Sequence, residues 1–459
     1  MRFINNSISK REILQILVFG LSLAICPWFF YQNSIIAIGI PALLLYIIDS
    51  KSALYAIPLL LFMYPNQFSN SANSEGYIFW SGFWGKLIVA SLLIIRFLRF
   101  YSIKSFVIKN QFLSFTLVIL LIIAWGYYIW FGNNKYDLFQ PVIGIIFSAV
   151  YFSCLLKQSV NIQQIFRLFD MTFYILVGYG ITEFFFQISP YMGIYMMDIM
   201  NATTLTLSDM RVKSLFGHPL TFVGFLTLYQ VTLYIRFLLY KRVSIFPFLL
   251  LVLMSVLSFS RTLIVTEILC FLLFLFFSRK SIKMKYYLIF FVLFIGTIMT
   301  VLYTFPDEIE MAMERIQDSA ASPENRLAAF FVPERILEKY PFGIGENWSS
   351  IIKHIDIPSG FTVMVLDNSF LSLIANYGVF VLLAPYTYFY PFVRTFKLLN
   401  YTKDIKGLIY YKMETLLVIA ISFSFMLYYY NSLYAFAIMN LALSIQLCKQ
   451  NRENENVRI

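Results

Sequence analysis

Residues 286–326 read YYLIFFVLFIGTIMTVLYTF and then PDEIEMAMERIQDSAASPENR. An almost wholly apolar run gives way at Pro306 to a polar tract that continues to Leu366 before apolar sequence resumes. About 20 apolar residues suffice to cross the hydrocarbon core of a bilayer. The junction therefore reads as a membrane span opening into a large polar insert, 306–366.

The same apolar pattern fills the chain on both sides of this junction. Runs near 12–31, 34–49, 52–65, 83–100, 112–131, 138–156, 166–188, 217–240, 244–259 and 262–278 precede it. After the insert come 368–393, 413–430 and 432–447. Hydrophobic residues make up 60% of the 459 and charged residues 13%, which excludes an ordinary soluble enzyme. The expected fold class is an all-α polytopic membrane protein with about 12–14 transmembrane helices, forming one membrane domain over 1–459. Runs 34–49 and 52–65 are short for full spans and admit tilted or re-entrant segments.

A net charge of +11 invites a nucleic-acid reading, but the placement of the charges opposes it. With the N-terminus in the cytoplasm, ten of the 35 Lys and Arg residues fall on the outer side. These are Lys86, Lys135, Arg211, Lys213, Arg261, Arg315, Arg326, Arg335, Lys339 and Lys353. The rest lie at cytoplasmic ends, as the positive-inside rule requires, with both termini inside. The basic balance is topology, and no nucleic-acid partner is expected. Arg2, Lys10 and Arg11 precede the first run without a small-residue cleavage site, so that run reads as a retained span.

The four cysteines lie singly in apolar runs and read as small core residues. With two histidines, His218 and His354, a histidine-built metal centre is not expected, nor is a cofactor. The acidic group Asp307, Glu308, Glu310 and Glu314 reads as a solvated helix face.

Two outer loops are long, 190–216 and 306–366. In the larger, Pro306 with Asp307 and Glu308 suits a helix start, and Ile309, Met313 and Ile316 recur on one face, predicting a helix over 306–318. A second helix is predicted from Pro333 to Lys339, ending before Pro341-Phe342-Gly343-Ile344-Gly345.

The outer cations are candidates for chemistry. Arg211 and Lys213 precede Gly217-His218-Pro219, Arg261 sits in the turn Ser258-Phe259-Ser260-Arg261-Thr262, and Arg326 and Arg335 lie in the large loop. Guanidinium groups bind phosphate oxygens bidentately, so several converging on one pocket would suit a pyrophosphate. The alternative for each is a side chain snorkelling into the headgroups. His218 reads as a hydrogen-bond donor or a structural residue. Asp367, in Asp367-Asn368-Ser369, either caps the next span or takes a proton from a sugar hydroxyl. Glu183, deep in an apolar run, marks a cavity or a buried ion pair, and Glu267 raises the same question. Tyr191, Tyr195 and Trp348 read as interfacial anchors or sugar-stacking rings.

These residues, in this order, resemble the O-antigen ligase and polymerase superfamily of bacterial surface-polysaccharide assembly. The resemblance covers roughly 183–392 and rests on Arg211 ahead of Gly217-His218-Pro219, the Ser260-Arg261-Thr262 turn, Arg326, the Pro341–Gly345 turn, and Asp367-Asn368 with Gly378. It implies a GT-C-like membrane glycosyltransferase that uses an undecaprenyl-pyrophosphate-linked glycan as donor, without metal. By position, Arg211, Arg261 and Asp367 would be the catalytic residues. Lys213, His218, Arg326, Arg335, Glu183 and Asn368 would bind substrate. The family's ligases place a histidine where this chain has Asp367, a departure that favours polymerisation of repeat units over ligation to a lipid acceptor. A chain-length regulator and a flippase are the implied partners, beside the bilayer itself. The alternatives are a glycan ligase of the same superfamily and, from another class, a flippase for lipid-linked oligosaccharide.

Overall fold

The computed structural model describes residues 9–29, 33–63, 77–100, 150–158, 161–186, 188, 212–216, 219–240, 245–258, 261–279, 283–304, 306, 332–341, 369–378, 384–402, 405–424 and 431–456. Every regular element among them is helical and none is a strand. The chain is an all-α polytopic membrane protein. Helices are what a lipid-embedded backbone requires, because each satisfies its own amide and carbonyl groups.

Helix α1 (Lys10–Phe29) starts with a reciprocal cap. The Glu12 amide donates to Ser9 Oγ at 3.2 Å, and the Ser9 amide donates to Glu12 Oε2 at 3.2 Å. Leu14, Leu17, Leu21 and Ile25 form an exposed apolar stripe at helical spacing, suited to face hydrocarbon. A π-helical turn, Ile35–Gly39, leads into α2 (Ile40–Ile48), and α3 (Ala53–Leu59) runs into a 3-10 turn, Leu60–Met63. Between α2 and α3 the Asp49 carboxylate accepts the amides of Lys51 at 3.0 Å and Ser52 at 3.4 Å, closing the corner. The two short apolar runs are thus two short helices joined by a capped turn. Helix α4 (Tyr77–Phe100) starts ahead of the predicted run and presses Gly85 on Ser34, where a Cβ would lie 2.6 Å from the Ser34 carbonyl oxygen. Helix α5 (Phe152–Lys157) ends the next described stretch. The predicted span 112–131 and most of 138–156 lie outside the described residues.

The second half holds α6 (Ile162–Phe186), α7 (Pro219–Tyr240), α8 (Ile245–Leu257), α9 (Arg261–Ser278) and α10 (Met284–Thr304). Beyond the insert boundary come α11 (Val332–Lys339), α12 (Ser369–Tyr377), α13 (Ala384–Thr402), α14 (Ile405–Ser424) and α15 (Asn431–Asn456). Among the described residues α1, α6 and α7 are long and apolar enough to cross a membrane. Of their apolar windows, 89% is buried in α7 but only 33% in α1, so α7 is the axis of the bundle and α1 a peripheral helix.

Around α7, aromatic rings fill the core. Tyr229 stacks on Phe173 of α6 at 4.2 Å between centroids, and Tyr234 stacks on Phe274 of α9 at 4.2 Å. Polar links cross the same interfaces. Tyr410 of α14 donates to Asn440 Oδ1 of α15 at 2.8 Å, and Asn440 Nδ2 donates to Glu414 at 3.2 Å. Buried polar groups inside a bundle are tolerated when they bond across helices in this way.

One predicted span changes form. The run 368–393 is two helices, because α12 stops at Tyr377 and Gly378 takes φ 54°. That left-handed conformation ends a helix and suits glycine.

Candidate functional site

The site is built at the end of the bundle where α6 finishes, α7 begins and α8 turns into α9. Residues 212–216 cross this end as a short segment with one 3-10 turn, Ser214–Phe216. Val212, Leu215 and Phe216 are buried, and Phe216 packs edge-on against Phe62 at 4.9 Å and lies beside Phe225 at 5.7 Å. Apolar burial holds one side of the segment. Its backbone needs polar partners, because irregular chain at a membrane depth has no ladder to join.

Glu183 supplies them. Its Oε2 accepts the amide of Lys213 at 2.9 Å and that of Ser214 at 2.7 Å. The Ser214 hydroxyl donates to the Leu176 carbonyl at 2.7 Å, two turns earlier on α6. Ser214 itself has φ 54°, and among the described residues it is the non-glycine with a positive φ. Such a conformation persists where surroundings over-determine it, as three hydrogen bonds do here. Glu183 is therefore buried as expected, but its partners are backbone amides of the next segment, with the Lys213 charge close by.

At the α8–α9 turn, α8 ends with the Ser258 amide donating to the Met254 carbonyl at 3.0 Å, and α9 begins at Arg261. The buried carboxylate of Glu267 bridges back to α8, accepting from the Ser255 hydroxyl. Thr266 is tied to Thr227 of α7 at 3.3 Å. Thirteen residues of α8 rise only about 20 Å, less than a hydrocarbon core of about 30 Å.

These two regions meet at Gly180. A Cβ on this glycine would lie 3.1 Å from Val212 Cγ1 and 3.1 Å from Met254 Sδ. Val212 is the neighbour of Arg211, and Met254 lies in the last turn of α8 before Arg261. One glycine surface thus borders both the segment that carries Lys213 and the last turn of α8. Sequence reasoning passed over Gly180, Ser214 and Ser255. Only the nearness of Gly180 to Glu183 in the chain gave a signal, and that signal is weak.

The large loop contributes α11, which packs on α12. Ile336 of α11 is fully buried, whereas Arg335 is exposed and pairs with Glu338 at 3.5 Å on its own helix. Helix α12 has nine residues and Gly378 follows at once, so the nine-residue spacing ahead of this glycine is the length of one capped helix.

Of the predicted site residues, Glu183 and Lys213 are brought together, and Arg335 faces solvent. Arg261 starts α9, its side chain outside the described residues. Arg211, His218, Arg326, Asp367 and Asn368 lie outside them altogether, as do the predicted helix at 306–318 apart from Pro306, the end of the Pro341–Gly345 turn, and Tyr191, Tyr195 and Trp348.

By fold, this is an all-α integral membrane protein with two cation-bearing segments at one end of its bundle. Residues 246–386 match the family model described as O-antigen ligase, consistent with the O-antigen ligase and polymerase superfamily. No curated protein matches the chain. The matched region includes the Arg261 turn, the 306–366 insert, Asp367 and Gly378. It supports glycan processing of the O-antigen ligase or polymerase type at a membrane, carried out by a glycosyl-transfer enzyme.

Proposed function

We propose that this protein is a polymerase that joins undecaprenyl-pyrophosphate-linked oligosaccharide units at the outer face of a bacterial plasma membrane. The observation that supports the reading is that Val212, next to Arg211 in the chain, and Met254, in the last turn of the helix that precedes Arg261, both border Gly180. Two guanidinium groups there would grip the two phosphates of the carrier and offset charge on the departing pyrophosphate.

In the reaction, a hydroxyl of one lipid-linked unit attacks the anomeric carbon of the chain held on its carrier. The new glycosidic C–O bond forms as the bond to pyrophosphate breaks, and undecaprenyl pyrophosphate leaves with the electron pair. Asp367, or a nearby acid, accepts the hydroxyl proton. Confinement of both substrates to one leaflet supplies orientation and effective concentration. Asp367 in place of the ligase histidine favours a polymerase. The description of the matched family as a ligase favours the second reading, transfer of a finished chain to a separate acceptor.

Purified protein supplied with lipid-linked repeats alone discriminates the two. A ladder of lengths is expected. Product appearing only after a separate acceptor is added would establish a ligase, and no transfer under either condition would remove both readings.

A further inference from the structure

We infer that Glu183 is a positioning residue, which holds the segment 212–216 against α6 through the Lys213 and Ser214 backbone and makes no contact with substrate. The inference rests on the reading above for what this segment does, but its geometry stands on its own.

Three observations carry it. First, both described donors of the Glu183 carboxylate are main-chain amides, those of Lys213 and Ser214, taken by the same Oε2. Oε2 is engaged by two amides, and a buried carboxylate would repel a pyrophosphate. Second, Ser214 is turned to a positive φ, which aims its amide at Glu183 while its hydroxyl reaches the Leu176 carbonyl. One helix, α6, thereby grips the segment at two levels. Third, the absence of a side chain at Gly180 lets Val212 come within 3.1 Å of the Cβ position, so the segment is drawn against α6 at the residue that follows Arg211 in the chain.

A buried carboxylate also serves this role better than an apolar residue could. Residues 213 and 214 lie near the end of the 190–216 loop, just ahead of α7, and belong to no helix long enough to satisfy their amides. Without an acceptor those amides would seek water, and the segment would lift from α6.

The test uses full-length protein in which the four native cysteines are replaced and Val212→Cys is combined with Met254→Cys. Both side chains border Gly180 and come no more than about 6 Å apart, so a bis-methanethiosulfonate reagent of that span should cross-link them in high yield. Glu183→Ala should lower that yield about fivefold or more and raise KM for the lipid-linked donor about tenfold or more, with kcat changed less. Glu183→Gln keeps an acceptor oxygen and should restore both to within about threefold. Unchanged cross-linking in Glu183→Ala would overturn the inference. So would a Glu183→Gln protein that cross-links normally but fails in turnover as completely as the alanine variant, since the carboxylate would then act on substrate. Lost cross-linking in Glu183→Ala, beside normal polymer from Arg211→Ala, would support the positioning role while removing the proposed use of that arginine.

Discussion

The segment 212–216 and the α8–α9 turn each lead a basic residue to the same end of the bundle, yet they are fixed by different means. In the turn, two helices do the work: Ser258 closes α8 with an ordinary helical hydrogen bond, and Arg261 begins α9. Glu267 adds a side-chain bridge to Ser255 between helices already in register. The segment 212–216 has no such frame. It depends on three hydrogen bonds to α6, on buried Val212, Leu215 and Phe216, and on a glycine that lets it approach. A cation on a helix end inherits its position from the helix, whereas a cation on irregular chain must have its position built for it.

If the two regions form one phosphate site, losing either cation should hurt alike. Arg261→Ala and Arg211→Ala are each expected to cut chain growth about 100-fold or more, the loss typical of one preorganised charge partner in a transition state. Polymer length on gels checks this, with protein level and membrane insertion unchanged. A large loss for one and a normal ladder for the other would separate the regions.

Gly180 is where the comparison can be broken from both sides. A leucine there would need volume that Val212 and Met254 already occupy at 3.1 Å. Gly180→Leu should therefore displace both segments, reduce polymerisation about tenfold or more and destabilise by about 1–3 kcal/mol. Gly180→Ala should be much milder, because the Met254 thioether can shift by a few tenths of an ångström. Transfer rate and thermal unfolding in detergent measure the pair. Equal behaviour of the two variants would show that the contact is loose.

How much of this was legible beforehand follows from the kind of signal each feature leaves. Apolar runs fixed the helices, and the boundaries of α7, α8 and α9 fall within two residues of the runs at 217–240, 244–259 and 262–278. The break at Gly378 was missed because apolar sequence continues on both sides, and hydropathy does not report a backbone turning to φ 54°. For the site, an acid deep in an apolar run announced that Glu183 has a polar partner. The identity of that partner was hidden, since backbone amides 30 and 31 residues away have no sequence signature. Ser214 was equally silent, as its strain comes from the tertiary contact. Arg335 looked like Arg326 in the sequence, and only the burial of Ile336 beside the exposure of Arg335 shows which face of α11 turns outward.

The two buried acids of this end of the bundle, Glu183 and Glu267, should respond differently to neutralisation and truncation. Glu267→Gln retains an oxygen for the Ser255 hydroxyl, and the helices beside it remain, so transfer should fall by less than about threefold. Glu267→Ala leaves the Ser255 hydroxyl its bond to the Leu251 carbonyl at 2.7 Å, so it should cost only about 1 kcal/mol of stability while the KM for donor stays near its starting value. That outcome would contrast with Glu183→Ala, where KM is expected to move. A KM rise of similar size from Glu267→Ala would mean that the α8–α9 turn also depends on its acid for position, and the distinction between framed and unframed cations would fall.

The smallest effect is expected at Arg335, and it sharpens the comparison by subtraction. This arginine stands on a helix, as Arg261 does, but its helix buries Ile336 and turns the basic face outward. Its side chain is 45% exposed and pairs with Glu338 at 3.5 Å within the same helix, a contact of the kind that contributes about 0–1 kcal/mol. Arg335→Ala should change chain growth by less than about twofold. Reversal to Arg335→Glu should do little more, because a like-charge neighbour three residues on is screened by solvent. By contrast, Ile336→Asp should uncouple α11 from α12, since it places a carboxylate at a fully buried position. Measured on the same lipid-linked donor, a loss at Ile336 without one at Arg335 would mean that α11 acts by docking on α12. A tenfold loss from Arg335→Ala with intact folding would instead return this arginine to the substrate, and the pyrophosphate site would then have to extend onto the large loop.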